Sequence, residues 1–153
     1  MSGLDSEKML KVFTIGYAGK NAHQFFTILA QAGIRKVVDV RLYNTSQLAG
    51  FTKRQDIKYF LQTIVGAAYI HLPIMAPTKQ LLGDYKKGLI SWQQYETQFK
   101  TIIARRQIEK HITPQDMDMA CFLCSEANAD NCHRRLVVEY LAEHCKGVSI
   151  DHL

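Results

Sequence analysis

A chain of 153 residues is a one-domain length, long enough to bury most of the surface that its unfolded form exposes. With 47% hydrophobic and 22% charged residues, the composition excludes a disordered, collagen-like or membrane-spanning chain and matches an ordinary globular one. The net charge of +5 would attract nucleic acid or a nucleotide without specifying either, and a solvated basic face accounts for it equally well.

The first ten residues, M-S-G-L-D-S-E-K-M-L, lack the basic start and apolar core of a secretory signal, so residues 1–10 read as a flexible extension of a cytoplasmic protein. Its four cysteines are then expected to be reduced. Residues 11–15 form the first strand, running into Gly16-Tyr17-Ala18-Gly19. Asn21 stands three before Gln24 in a capping arrangement and opens a helix with Ala22, Phe25, Phe26 and Leu29 on one stripe. Residues 36–40 form the second strand, ending Asp39-Val40-Arg41. Thr52 before Gln55 marks a second capped helix, with Ile57, Phe60, Leu61 and Ile64 facing the core.

Residues 68–72 form the third strand, ending His71-Leu72-Pro73. Ser91 before Gln94 opens a long helix striped by Trp92, Tyr95, Phe99 and Ile102. Residues 117–123 form the fourth strand, followed by Cys124-Ser125-Glu126. Asp130 or Asn131 caps the last helix, which carries Leu136, Val137, Tyr140 and Leu141, and residues 148–153 close the chain as a fifth strand. Strand and helix alternate throughout, and several strands are V/I-rich rather than cleanly alternating. The expectation is a single-domain three-layer α/β sandwich with a mostly parallel sheet of about five strands and helices on both faces.

In such a sheet ligands bind outside the carboxyl ends of the strands. Tyr17, Asp39, Arg41, His71, Cys124, Glu126 and Arg134 all fall there and are expected to converge on one pocket. The densest stretch is C-F-L-C-S-E-A-N-A-D-N-C-H-R-R, residues 121–135, which gathers thiols, a carboxylate, an imidazole and two guanidiniums between a strand and a helix start.

The ordered pieces T-I-G-Y, V-V-D-V-R, Y-I-H-L-P, C-S-E and C-H-R-R resemble the domain-of-unknown-function family 488 over residues 13–153. The resemblance implies a compact α/β domain and carries no established reaction. It places Tyr17, Asp39, Arg41, His71, Cys124, Glu126, Cys132, His133 and Arg134 at the family's recurring positions. Two loops depart from the family pattern, Leu42-Tyr43-Asn44-Thr45-Ser46-Gln47 where proline and a basic residue are frequent, and Ile74-Met75-Ala76-Pro77-Thr78 where two glycines are. A different ligand from that of the relatives follows if these loops shape entry to the site.

Each site residue carries two readings. Asp39 and Arg41 are substrate-binding groups or a structural ion pair on one strand face. Arg134, a cation where a helix dipole prefers an anion, either holds an anionic ligand or bridges to Glu126. Cys124 is a nucleophile activated by His133, Arg134 or the helix end, or a packing thiol like Cys121 and Cys145. A zinc site of Cys124, Cys132 and His133 is disfavoured, because neighbours on a helix diverge by about 100°, and no metal or cofactor is assigned. A disulfide between Cys124 and Cys132 is a further alternative. Tyr17 and His71 are acid–base or stacking groups, or half-buried structural ones.

No phosphate loop and no G-x-G-x-x-G follows the first strand, which disfavours ordinary dinucleotide or triphosphate sites. The leading reading is an enzyme acting on an anionic, nucleotide- or nucleic-acid-like substrate. Cys124, Glu126 and His71 would be catalytic, and Tyr17, Asp39, Arg41, His133 and Arg134 would bind substrate. The alternative is a noncatalytic domain binding nucleic acid or a phosphate-bearing small molecule. Oligomeric state is not legible.

Overall fold

The structure is a computed structural model that describes residues 9–45 and 49–153. Residues 1–8 of the expected extension, and Ser46 and Gln47 of the loop after D-V-R, lie outside the described residues. Strands β1 (Leu10–Gly16), β2 (Lys36–Asp39), β3 (Ala68–His71), β4 (Ala120–Cys124) and β5 (Val148–His152) form one sheet in the order β3-β2-β4-β1-β5. All neighbours run parallel. Around it lie α1 (Ala22–Gln31), α2 (Arg54–Phe60), α3 (Lys79–Lys86), α4 (Trp92–Arg106), α5 (Pro114–Met117) and α6 (His133–Glu143). The chain is therefore a single-domain α/β sandwich.

Successive residues of a strand face opposite sides of the sheet, and both sides are apolar here. Phe13, Ile15, Val37, Cys121 and Leu123 join Phe25, Phe26 and Leu29 of α1 and Ile57 of α2 in one core. Val12, Val38, Ala120 and Phe122 join Tyr95, Phe99 and Ile103 of α4 and Leu136 and Val137 of α6 in the other. Burial on both faces explains the V/I-rich strands.

The strand order sets the site. From β1 to β2 to β3 the chain steps one way across the sheet, and from β3 to β4 to β5 it steps back. Neighbouring β2 and β4 thus send their following segments in opposite directions, leaving a crevice at their carboxyl ends. Register aligns Asp39 with Leu123 and Gly16 with Cys124.

The capping boxes at Asn21 and Ser91 form as their spacing indicates. The Thr52 cap does not: Lys53 is the N-cap of α2 and makes no side-chain cap bond. Thr52 Oγ1 instead accepts from Arg41 NH1 at 3.2 Å and donates to the Ala49 carbonyl at 2.9 Å. Asp130 and Asn131 do not cap α6 either, because that position belongs to Cys132, with extended backbone and no side-chain cap bond. The fourth strand begins only at Ala120, since a Thr113 cap and Pro114 draw Met117 into α5. Helix α3 goes unforeseen by periodicity. Thr78 caps it by accepting from Leu81 N, and Leu81 is its buried anchor.

Candidate active site

At the crevice a cleft of about 300 Å³ opens, lined from the strand ends by Tyr17, Arg41, Cys124 and Glu126, from the start of α6 by Cys132 and His133, and from the α3–α4 hairpin by Tyr85, Lys86, Trp92 and Tyr95. Tyr17 is held there by main chain: its N–H reaches the Cys124 carbonyl at 3.4 Å, and the Ala18 N–H reaches the Ser125 carbonyl at 2.9 Å.

His133, the first residue of α6, is buried. Its Nε2 lies 2.7 Å from the Val40 carbonyl oxygen. A carbonyl only accepts, so Nε2 carries the proton, and in the neutral ring Nδ1 offers its lone pair. That Nδ1 lies 3.7 Å from Sγ of Cys124, the last residue of β4. The edge of the Phe99 ring, 5.5 Å away at 71°, braces the imidazole. The second nitrogen is thereby fixed as a proton acceptor aimed at the sulfur.

Burial alone would push the Cys124 thiol up. A hydrogen bond from the Cys132 thiol, the charge and hydrogen bond of His133, and the Glu126 N–H overcome burial and hold it well below the ordinary thiol value. His133 moves in the complementary direction. Burial works against its charged form, but the Cys124 charge and hydrogen bond and the Val40 carbonyl raise it. Cys132 is pushed up, by burial first and then by donating to Cys124. The three groups therefore favour one proton distribution: thiolate at Cys124, imidazolium at His133, thiol at Cys132. The start of α6 adds a positive dipole end to the same place.

The ligand atoms of Cys124, Cys132 and His133 lie within 4.8 Å of one another. Cys132 and His133 do not diverge as helical neighbours would, because Cys132 is an extended N-cap residue rather than a helical one. Thiolate and imidazole suit zinc, and the His133–Val40 bond is the kind of outer support that metal-bound histidines have. The group supplies three donors where a closed structural zinc site takes four.

Asp39 and Arg41 form a two-pronged ion pair. Arg41 Nε donates to Asp39 Oδ1 at 2.9 Å and NH2 to Oδ2 at 2.8 Å, with both side chains buried. NH2 also donates to the Thr52 carbonyl at 2.6 Å, and Tyr69 OH donates to Asp39 Oδ2 at 2.6 Å. Burial, then this bond to Asp39, raises the Tyr69 phenol. The structural half of the reading thus has a complete geometry. Asp39 lies behind Arg41, whose Cζ sits 5.5 Å from the centre of the Tyr17 ring at the cleft wall. His71 is not among the lining residues; its Nε2 contacts the Arg41 carbonyl at 2.9 Å and steadies the end of β2.

Arg134 is fully buried and points away from the cleft. Its Nε donates to Thr14 Oγ1 at 3.1 Å, NH1 to the Glu126 carbonyl and NH2 to the Ala127 carbonyl at 3.4 Å. The expected partner Glu126 is met through its main chain rather than its carboxylate. Arg134 thereby turns the Glu126 carbonyl away from the cleft and leaves the Glu126 N–H for the Cys124 sulfur. Gly16 closes the same knot: a Cβ there would fall 1.5 Å from the Glu126 oxygen. Thus T-I-G-Y and C-H-R-R meet around one peptide group.

Of the residues expected to converge, Tyr17, Arg41, Cys124 and Glu126 share the cleft, and His133 joins them there. Asp39 and Arg134 stand behind it, and His71 stands beside it. Sequence reasoning passed over Tyr85 and Lys86 and took Trp92 and Tyr95 only as core residues. The signal available was the aromatic density of Tyr85, Trp92 and Tyr95 next to Lys86 and Lys87. Trp92 and Tyr95 stack with centroids 5.0 Å apart.

Residues 21–141 match the model of the family described as Domain of unknown function DUF488, and the chain belongs to that family. No curated protein and no solved structure matches the chain. Among the described residues no helix is long and apolar enough to cross a membrane.

Proposed function

We propose that this DUF488 domain is an enzyme in which Cys124 is the nucleophile and His133 its base, acting on a substrate that joins a planar ring to an anionic group, as nucleotides and nucleic acids do. One observation carries the reading: the proton acceptor of His133, its tautomer fixed by the Val40 carbonyl, faces Cys124 Sγ at 3.7 Å. Proton transfer along that contact gives a thiolate that attacks an electrophilic atom of the substrate, and the imidazolium returns the proton to the leaving group. The Glu126 N–H stabilises negative charge beside the sulfur. The exposed Glu126 carboxylate at the rim is available to move a proton to or from water.

The substrate class rests on the walls. Tyr17, Tyr85 and Trp92 line the cleft with aromatic rings and Lys86 brings positive charge to it, while the Arg41 guanidinium at the same wall is already paired with Asp39. Aromatic faces with nearby cations suit nucleobases and phosphates without selecting among bases.

The test is mass spectrometry of metabolites and oligonucleotides that co-purify with the protein, followed by incubation of the same mixture with wild type and with Cys124→Ser. Depletion by wild type alone supports the enzyme. Equal retention by both proteins without depletion supports a noncatalytic binding domain and overturns the proposal.

A further inference from the structure

We propose that Cys132 is the resolving partner of Cys124, so that a hydroperoxide entering the cleft converts the pair into a reversible disulfide. The inference rests on Cys124 being the reactive thiol of the site. It adds a modification and a second use of that thiol.

Of the four cysteines, this pair alone meets in one place. Both sulfurs fall within the same 4.8 Å group as the His133 nitrogen. Cys121 belongs to the core on the opposite face of the sheet, and Cys145 follows the far end of α6. Cys132 is not committed to the helix end: its backbone is extended (φ −134°, ψ 137°), its side chain makes no cap bond, and its thiol donates to Cys124 instead. Cys124 and Cys132 both line the cleft while nearly buried, at 3% and 2% exposure, so the oxidant that the site admits is a small one.

The steps balance with a hydroperoxide as the only co-reactant. The Cys124 thiolate attacks the terminal peroxide oxygen, the O–O bond breaks, and the departing alkoxide takes the proton from His133, leaving Cys124 as a sulfenic acid and His133 neutral. Cys132 then gives its proton to His133 as its sulfur attacks Cys124. An S–S bond forms, and the hydroxyl leaves as water with that proton. The two thiols lose two electrons and two protons, and the peroxide takes them up to become an alcohol and a water. A second thiol within reach also diverts Cys124 from irreversible sulfinic acid.

The test treats the reduced protein with hydrogen peroxide, alkylates under denaturing conditions and maps the peptides by mass. Wild type is expected to lose two hydrogens and to yield one cross-linked peptide joining Cys124 to Cys132, with Cys121 and Cys145 alkylated and full reversal by dithiothreitol. Cys132→Ser is expected to give no internal disulfide and a dimedone adduct at Cys124. Oxidation of wild-type Cys124 to sulfinic acid with Cys132 still alkylated overturns the proposal. Peroxide-resistant Cys124 that iodoacetamide nevertheless labels rapidly in the native state overturns it too, while the nucleophile reading stands. Resistance to both reagents overturns both.

Discussion

Gly16→Ala probes the knot that holds the loop after Cys124. A Cβ at Gly16 lies 1.5 Å from the Glu126 oxygen, 2.5 Å from its carbonyl carbon and 2.8 Å from Arg134 NH1. Nonbonded contacts settle at about 3.5 Å, so the Glu126 peptide must retreat by roughly 2 Å. Inserting a methyl into a filled space costs about 1–3 kcal/mol, and breaking the hydrogen bond from the buried Arg134 cation costs about 1.5–3 kcal/mol. The expected loss is therefore about 2.5–6 kcal/mol, a large share of a domain's stability of about 5–15 kcal/mol. Gly83 in α3 is the control, since a Cβ there meets nothing within 4 Å, and Gly83→Ala should gain about 0.5–1 kcal/mol. Urea unfolding followed by Trp92 emission measures both. A loss below about 1 kcal/mol for Gly16→Ala would refute the reasoning.

Arg41→Ala leaves the Asp39 carboxylate buried without its ion partner, and it should lower unfolding stability by about 3–5 kcal/mol. An unchanged urea midpoint with lost ligand binding would instead make Arg41 a binding group. Trp92 is the sole tryptophan and lines the cleft, so adenosine monophosphate should change its emission, less so as salt rises. Tyr85→Ala should then cost about 1–3 kcal/mol of binding, roughly 5- to 150-fold in Kd, as loss of a stacking ring does; emission indifferent to the nucleotide would count against the substrate class. The Cys124–His133 pair also makes stability depend on pH. The depressed Cys124 contributes stability that is present above its unfolded value of about 8.5 and is lost as pH falls through its folded value. The raised His133 contributes stability that is present below about 6.5 and is lost as pH rises through its folded value. The stability difference between wild type and Cys124→Ser should hence be largest between the two folded values and shrink on either side, and a difference flat with pH would contradict the ion pair.

The sheet was legible because burial on both faces writes V/I-rich strands, and because two reciprocal caps, at Asn21 and Ser91, mark helix starts locally. Parallel strands then place Tyr17, Arg41, Cys124 and Glu126 at one edge with no further information. Arg134 was not legible, since its direction depends on the Glu126 and Ala127 carbonyls and on Thr14, which is 120 residues away in sequence. Thr52 looked like a cap until Arg41, 11 residues earlier, claimed its hydroxyl. Cys132 was misplaced for want of one backbone angle: a helical residue would point away from His133, whereas an extended N-cap turns its sulfur toward Cys124. Tyr85 went unread and Trp92 read as a core residue because α3, short and with Gly83 at its middle, carries too weak a pattern to reveal the hairpin that brings them to the cleft.

The reactivity of Cys124 tests the central claim most directly. Native protein is treated briefly with limiting iodoacetamide at neutral pH, and the four cysteines are mapped by mass in wild type and in His133→Ala. The account predicts labelling of Cys124 well ahead of Cys121 and Cys145, persisting at pH values where an ordinary thiol is protonated. An unperturbed thiol is only a few per cent thiolate at pH 7, so His133→Ala should slow Cys124 roughly ten- to a hundredfold. Slow labelling of Cys124 in the native state with fast labelling after denaturation, or a rate unchanged by His133→Ala, would contradict it.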